Sequence, residues 1–177
     1  MNKTIRKNGL TFGLISGLLS ILTTSLIYSL NLNLFLSGWI TFLKITIFTA
    51  LAIIMILNTK KELQNNLGFK DTFTTYFIFA LIALLVSTLF EIILFNFIDP
   101  SLKDTLKEMS IKYVVKLLEK FETPAAKINE AIKNIQDNDQ FSIIELIKGY
   151  FTYLLLSTIL GLILSGIFKS RNNPALK

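Results

Sequence analysis

The sequence contains no cysteine and no histidine among its 177 residues, and only 17% of its residues are charged. The absence of those two side chains excludes disulfides, thiolate nucleophiles, imidazole bases and nearly all zinc, copper and haem sites. None of the eight glycines belongs to a P-loop or to a dinucleotide-binding fingerprint. We therefore expect a protein that is not an enzyme and that holds no cofactor and no metal.

Apolar residues, in contrast, make up 52% of the chain and fall in long blocks, and the mean hydropathy is +0.58. Runs long enough to cross a bilayer occupy residues 9–30, 38–57, 72–98 and 143–168. Each run is expected to be helical, because only helices and closed barrels satisfy every backbone polar group in lipid. The sequence thus predicts an all-α polytopic membrane protein with four transmembrane helices, in which residues 1–177 form a single membrane domain.

The distribution of lysine and arginine predicts how the chain is oriented. Both tails and the connection between the second and third runs are basic, whereas residues 31–37 carry no basic residue. The positive-inside rule then places both tails in the cytoplasm. The residues that set this orientation are Lys3, Arg6, Lys7, Lys60, Lys61, Lys70, Lys169, Arg171 and Lys177. The net charge of +6 is therefore interpreted as an orientation signal, and no nucleic-acid partner is expected.

The connection between the third and fourth runs predicts an extracytoplasmic insertion of two amphipathic helices, at about 101–122 and 124–136. Ser101 and Asp104 resemble a capping box, and Pro124 suits the first turn of the second helix. Lysines flank the apolar face of the first helix and acids lie opposite, which fits either a helix in the membrane surface or a helix packed on the ends of the spans. The apolar face consists of Leu102, Leu106, Met109, Tyr113, Leu117 and Phe121.

Two charged residues lie inside the predicted spans. Lys44 and Glu91 are each about 9 to 10 Å from the same membrane surface, at a rise of about 1.5 Å per residue. A charge at the centre of a span costs roughly 2.5 to 3.5 kcal/mol, and less nearer its edge, so opposite charges at one depth predict a direct ion pair. Two alternatives stay open: Lys44 extends independently to the surface while Glu91 is protonated or hydrogen-bonded, or the pair lines an ion or proton route.

Small residues recur four apart in the first and fourth spans. Such faces let helix backbones approach closely in lipid, so we expect them to pack on each other or on neighbouring spans. Homodimerisation through one of them is the alternative. The residues are Gly9, Gly13 and Gly17 in the first span and Ser157, Gly161 and Ser165 in the fourth.

Four stretches of the chain resemble a known family. They read KNGLTFGLISGL in the first span, GFKDTFTTYF and FNFIDPSLKD at the two ends of the third, and GLILSGIFKSRNNPA at the close. Over nearly its whole length the chain resembles the bacterial four-helix membrane proteins of domain of unknown function 4199 (DUF4199). The resemblance implies the same four spans with an extracytoplasmic helical insertion, and it brings no activity and no catalytic residue.

Together these features predict a non-enzymatic accessory or interaction protein of a bacterial cytoplasmic membrane. Its working surface would be the outer helical pair, and its partners would be the lipid bilayer and either another membrane protein or further copies of the chain. The alternative is a small oligomeric channel or transporter that uses Lys44 and Glu91.

Overall fold

The structure is a computed structural model that describes residues 2–170, and in that range the chain forms six α-helices. A short 3-10 turn, Leu32–Leu36, joins the first two helices, and a π-helical turn, Leu94–Ile98, extends the third. Arg171 and Lys177, which help to predict the orientation, lie outside the described residues. The helices are α1 Lys3–Leu30, α2 Gly38–Glu62, α3 Phe69–Ile93, α4 Leu102–Lys120, α5 Ala125–Asp137 and α6 Ile143–Phe168.

Four of these helices, α1, α2, α3 with its π-helical turn, and α6, are long and apolar enough to cross a membrane. The predicted fold class is therefore confirmed: the chain is all-α, with four candidate spans and a helical pair between the third and fourth. α1 begins earlier than predicted, at Lys3, and α2 continues to Glu62. Hydropathy marks only the stretch suited to lipid, whereas lysine and glutamate continue a helix readily beyond it.

Side-chain caps are present at the starts of α1 and α6, whereas α2, α3, α4 and α5 begin without one. The Ser142 side chain accepts a hydrogen bond from the backbone N–H of Glu145 at 3.3 Å and so caps α6. The predicted cap at Ser101 is wrong. Its backbone is already helical, and its hydroxyl donates instead to Asp99 Oδ1 at 2.6 Å. Pro124 immediately precedes α5 rather than occupying its first turn.

α3 is the central helix of the bundle, with α1 packed along one side and α6 along another. α1 and α3 run in the same direction, and α2 and α6 run against them. We call the end formed by Lys3, Glu62, Phe69 and Phe168 the terminal end, and the opposite end, from which α4 and α5 emerge, the insertion end.

The buried core lies in the half of the bundle nearer the terminal end. Within the described helices, α2 has no buried residue before Ala52 and α6 has none before Gly161. A second, smaller cluster joins α3 to α4 at the insertion end through Leu94, Phe95, Leu102 and Leu106. The main cluster consists of Ala52, Met55, Ile56, Leu67, Tyr76, Phe79, Ala80 and Leu164.

Candidate functional site

The glycine face of α1 lies directly against α3. A Cβ added at Gly9 would come 2.9 Å from Ile78 Cβ, and one added at Gly17 would come 2.6 Å from Val86 Cβ. Gly13, between them, is equally close to α3. Because any side chain here would push the helices apart, these glycines set the distance between α1 and α3.

The small-residue face of α6 packs on α3 as well. A Cβ at Gly161 would overlap the Tyr76 ring. Ser165 donates to the Gly161 carbonyl at 2.6 Å, and Ser157 donates to the Leu154 carbonyl at 3.0 Å, so both hydroxyls are satisfied within α6. The structure therefore places each small-residue face on a neighbouring span of the same chain, and the two faces do not meet each other.

The hydroxyl of Tyr76, unlike those of Ser157 and Ser165, is not satisfied by a hydrogen bond. It is buried and has no hydrogen-bond partner among residues 2–170, although the Ser157 hydroxyl lies beside it. A buried hydroxyl without a partner costs free energy. The Tyr76 ring is thus closely packed against Gly161, whereas its hydroxyl lacks a hydrogen-bond partner.

α1 also forms polar contacts with both of its neighbours inside the bundle. Asn8 donates to the Thr59 hydroxyl of α2 at 3.1 Å, and both side chains are buried. The hydroxyls of Ser20 on α1 and Ser87 on α3 are 2.8 Å apart. Hydrogen bonds between transmembrane helices average about 0.6 kcal/mol, so these contacts fix helix register more than they stabilise the bundle.

Lys44 and Glu91 do not form the predicted direct ion pair. The Lys44 ammonium donates instead to the Thr24 hydroxyl of α1 at 3.3 Å. In the described part of the chain, ammonium and carboxylate groups come within 4.0 Å of each other only in Lys103–Asp139 and Lys148–Glu145. The reason is the packing of α2, which lies closer to α1 than to α3 and meets α3 mainly in the terminal half of the bundle, through Ala52, Met55 and Ile56. The nearest polar partner available to Lys44 is therefore on α1.

The two charges nevertheless share a level in the bundle. Thr24 lies one turn beyond Ser20, and Glu91 lies one turn beyond Ser87, so the Ser20–Ser87 contact brings Thr24 and Glu91 to the same depth. Lys44 lies at this level too, through its hydrogen bond to Thr24. We call these five residues the intramembrane polar cluster.

A carboxylate fixes the point where α3 passes into α4. Asp99 accepts hydrogen bonds from the Tyr28 hydroxyl of α1, at 3.1 Å, and from the Ser101 hydroxyl. The Ser101 bond, more than the Tyr28 bond, holds the pKa of the Asp99 carboxyl below its ordinary value, against a smaller opposing effect of desolvation. Asp99 thus ties the start of α4 to the end of α1.

A second set of contacts closes the base of the α4–α5 hairpin, which comprises residues 102–137. Lys103 donates to Asn96 Oδ1 at 2.6 Å and lies 3.4 Å from Asp139 Oδ2. Asn96 in turn donates to the Phe141 carbonyl at 3.2 Å. The end of α3, the start of α4 and the segment after α5 are therefore bound together. We call Asn96, Lys103 and Asp139 the base clamp.

A cavity of about 160 Å³ lies beside the base clamp, between α4 and the end of α5. Its wall includes Lys103, Asp104, Lys107 and Asp139, so both charge signs are present in equal number. Lys107 already donates to the Gln136 carbonyl at 2.5 Å. Across residues 2–170 there is no group of three or more Asp or Glu side chains placed to hold a metal ion. The cavity therefore belongs to the joint of the hairpin.

The apolar face of α4 is divided along its length. Leu102 and Leu106 are buried and Met109 is half-buried, all within the cluster at the insertion end. The last three residues of the face, Tyr113, Leu117 and Phe121, are 52%, 40% and 71% exposed. The base of α4 is thus packed on the ends of the spans, whereas its distal half has an open apolar face.

A family profile described as "Protein of unknown function (DUF4199)" matches residues 11–170 of the chain. The chain belongs to the DUF4199 family. This confirms the resemblance found in the sequence. No curated protein and no solved structure gives a significant match. Because the family description carries no activity, the role of this DUF4199 protein has to be argued from its own residues.

Sequence reasoning missed the base clamp of this DUF4199 protein. Asn96 is an isolated amide in the apolar exit of the third span, and that isolation was the available signal, since amides in such a setting need a partner. Asp139 gave no signal, because an acid in a polar loop is usually solvated. Thr24 also gave no signal, because hydroxyls in transmembrane helices commonly bond to their own backbone.

Proposed function

We propose that this DUF4199 protein is a non-enzymatic accessory or interaction protein of a bacterial cytoplasmic membrane, and that it presents the α4–α5 hairpin to a partner outside the cell membrane. The observation that carries the proposal is the attachment of the hairpin. The base clamp and the buried contacts of Leu102 and Leu106 hold its base on the bundle. A firmly held element with an open surface is suited to binding, because little ordering is needed when the partner arrives.

The outer side of α5 is the surface we assign to the partner. α5 contains no buried residue, and its isoleucines and Ala131 are half-buried where it packs on α4. Lys127, Glu130 and Lys133 are exposed and present both charge signs. Such a mixed polar surface favours a protein partner that is recognised by complementary charges.

The orientation is part of the proposal. Lys60 and Lys61 stand in the last turn of α2 at the terminal end, and the positive-inside rule assigns that end to the cytoplasm. The chain has no cysteine, so single cysteines can be placed freely. A membrane-impermeant maleimide should label Glu130→Cys on intact cells and Lys61→Cys only after permeabilisation. The reverse pattern would refute this orientation.

The interaction is tested with a photo-crosslinking residue placed in the intact chain in cells. At Glu130 or Lys133 we expect a discrete adduct with one other protein, and the same residue at Leu155, which is 65% exposed on α6 and suited to lipid, is the matched control. The partner is then identified by mass spectrometry and must yield the same adduct when it carries the crosslinker. An adduct that contains only this chain, or no adduct at all, would overturn the proposal.

The alternative function, an oligomeric channel or transporter, draws on the intramembrane polar cluster. Lys44 and Glu91 lie at one level and do not form a direct ion pair, so neither charge is neutralised by contact with the other. In a single chain, however, α3 occupies the small-residue faces of α1 and α6, so a pore would need several copies. Ion flux in reconstituted vesicles that is lost in Glu91→Gln would favour this alternative over the interaction role.

A further inference from the structure

The apolar face of α4 continues past the bundle without a neighbour. We call its last three residues, Tyr113, Leu117 and Phe121, the distal stripe. Tyr113 and Leu117 stand seven and eleven residues after Leu106, so on an α-helix they share its side. Leu106 itself is fully buried against the insertion end. The distal stripe therefore faces the same way as the residues that are seated on the bundle.

α4 lies across the insertion end rather than standing upright on it. Leu102, Leu106 and Met109 span about 10 Å of helix at about 1.5 Å per residue, and all three belong to the cluster at that end. The same cluster includes Phe35 of the 3-10 turn and Leu146 of α6. An upright helix would contact the bundle with its first turn only. Phe121 then lies about 18 Å of chain rise beyond Met109.

No other described element covers the distal stripe. α5 packs along α4, and Val114 and Leu118, beside the stripe, are half-buried. The stripe itself remains exposed, so α5 occupies an adjoining side of the helix. Because the four spans cross a membrane, the surface that continues outward from the insertion end is the bilayer. The exposed stripe is directed towards it.

Lysines border the stripe on the side away from α5. Lys112 and Lys116 lie on that flank and Lys120 follows at the end of the helix, and all three are exposed. Lysine stems can lie along apolar surface while their ammonium groups reach the headgroups, and each basic residue near an anionic membrane surface contributes electrostatic attraction. The acids Glu108 and Glu119 point away from the stripe and are exposed to water.

We propose that the distal stripe inserts into the boundary between headgroups and acyl chains at the insertion end, and that Lys112, Lys116 and Lys120 bind anionic lipid headgroups. Charge complementarity favours this occupant over a second copy of the chain, because two lysine-bordered stripes would bring like charges together. The inference depends on the four spans crossing the membrane and is independent of the partner proposed for α5. It leaves the outer side of α5 free in water.

The test uses the full chain in nanodiscs of phosphatidylcholine with phosphatidylglycerol, with one environment-sensitive fluorophore on a single cysteine. Leu117→Cys reports the stripe, and Glu119→Cys, two residues away on the acidic side, is the matched control. A quencher attached to the lipid acyl chains should quench the label at position 117 several-fold more than the label at 119. Equal quenching at the two positions would overturn the insertion.

The lipid charge is tested with the same label at position 117. Combining it with Lys112→Glu, Lys116→Glu and Lys120→Glu should reduce the quenching in anionic nanodiscs, whereas Lys127→Glu with Lys133→Glu on α5 should leave it unchanged. Equal quenching in discs with and without phosphatidylglycerol would refute the role of anionic headgroups. If the label at position 117, measured in detergent, becomes more shielded from water as the protein concentration rises, a second copy covers the stripe. That result would overturn the proposal. Neither outcome bears on crosslinking from α5, so the two proposals fail separately.

Discussion

The Cβ that Gly17 lacks would lie 2.6 Å from the Cβ of Val86, closer than two side-chain carbons approach in proteins. This contact joins α1 and α3, which run in the same direction and are separated in sequence by the whole of α2. Nothing in lipid drives apolar helices together as water does, so such close backbone packing is what holds α1 in place. The interface is therefore more sensitive to added volume than to lost polarity.

Gly17→Val should displace α1 from α3. Overpacking of this kind costs about 1 to 3 kcal/mol, and we expect a loss of about 2 kcal/mol in the free energy of unfolding, measured by denaturant titration in mild detergent. Gly166→Ala is the matched control, because no atom lies within 4 Å of the added Cβ. A Gly17→Val protein of unchanged stability that only changes from dimer to monomer would mean that the glycine face joins two copies instead.

Much of this fold could be predicted because lipid imposes one requirement on every span. About 20 apolar residues are needed whatever the neighbours are, so the four spans follow from hydropathy. The depth of Lys44 could likewise be counted along the helix. Its partner could not, because α2 is apolar on all sides and hydropathy does not fix its rotation. The contact with Thr24 follows from α2 packing on α1, which is a property of the assembled bundle.

The coupling between Lys44 and Glu91 should be weak. Breaking a buried direct ion pair costs about 3 to 5 kcal/mol. Since the Lys44 ammonium bonds to Thr24 instead, we expect a double-mutant cycle of Lys44→Leu and Glu91→Leu to give a coupling energy of only about 1 kcal/mol. The readout is the free energy of unfolding in detergent, with steady-state level in the membrane as a second measure.

The matched control for that cycle pairs Lys44→Leu with Thr24→Val, which removes the observed contact and keeps the shape of the side chain. A coupling of about 3 kcal/mol or more between Lys44 and Glu91 would contradict the structure and restore the direct ion pair that the sequence predicts.

Tyr76→Phe should leave the protein as stable as before or make it more stable. The hydroxyl is buried without a hydrogen-bond partner in the described structure, while the ring contacts Gly161 and Phe79. Removing an unpaired buried hydroxyl relieves a desolvation cost of about 1 to 3 kcal/mol. We expect the gain in the free energy of unfolding to be smaller than this cost. Thermal unfolding in detergent measures the change.

Tyr28→Phe is the contrasting variant, because the Tyr28 hydroxyl does have a partner in Asp99. It should lower the unfolding temperature where Tyr76→Phe does not. A clear loss of stability in Tyr76→Phe would mean that its hydroxyl bonds to Ser157 in the membrane.

The anchor at Asp99 should weaken only in acid. Its folded-state pKa is held below the ordinary value, first by the Ser101 hydroxyl, so its contribution to stability is present above that ordinary value, about 4, and is lost as the pH falls through the lowered folded-state pKa. Asp99→Asn keeps an acceptor oxygen but loses the charge, so its unfolding temperature should lie below that of the unaltered chain at neutral pH. The difference should close as the pH falls below about 4.

Other carboxylates titrate equally in both proteins and cancel in that difference. A gap that stays constant from pH 7 to pH 3 would show that the Asp99 charge contributes nothing to holding α4.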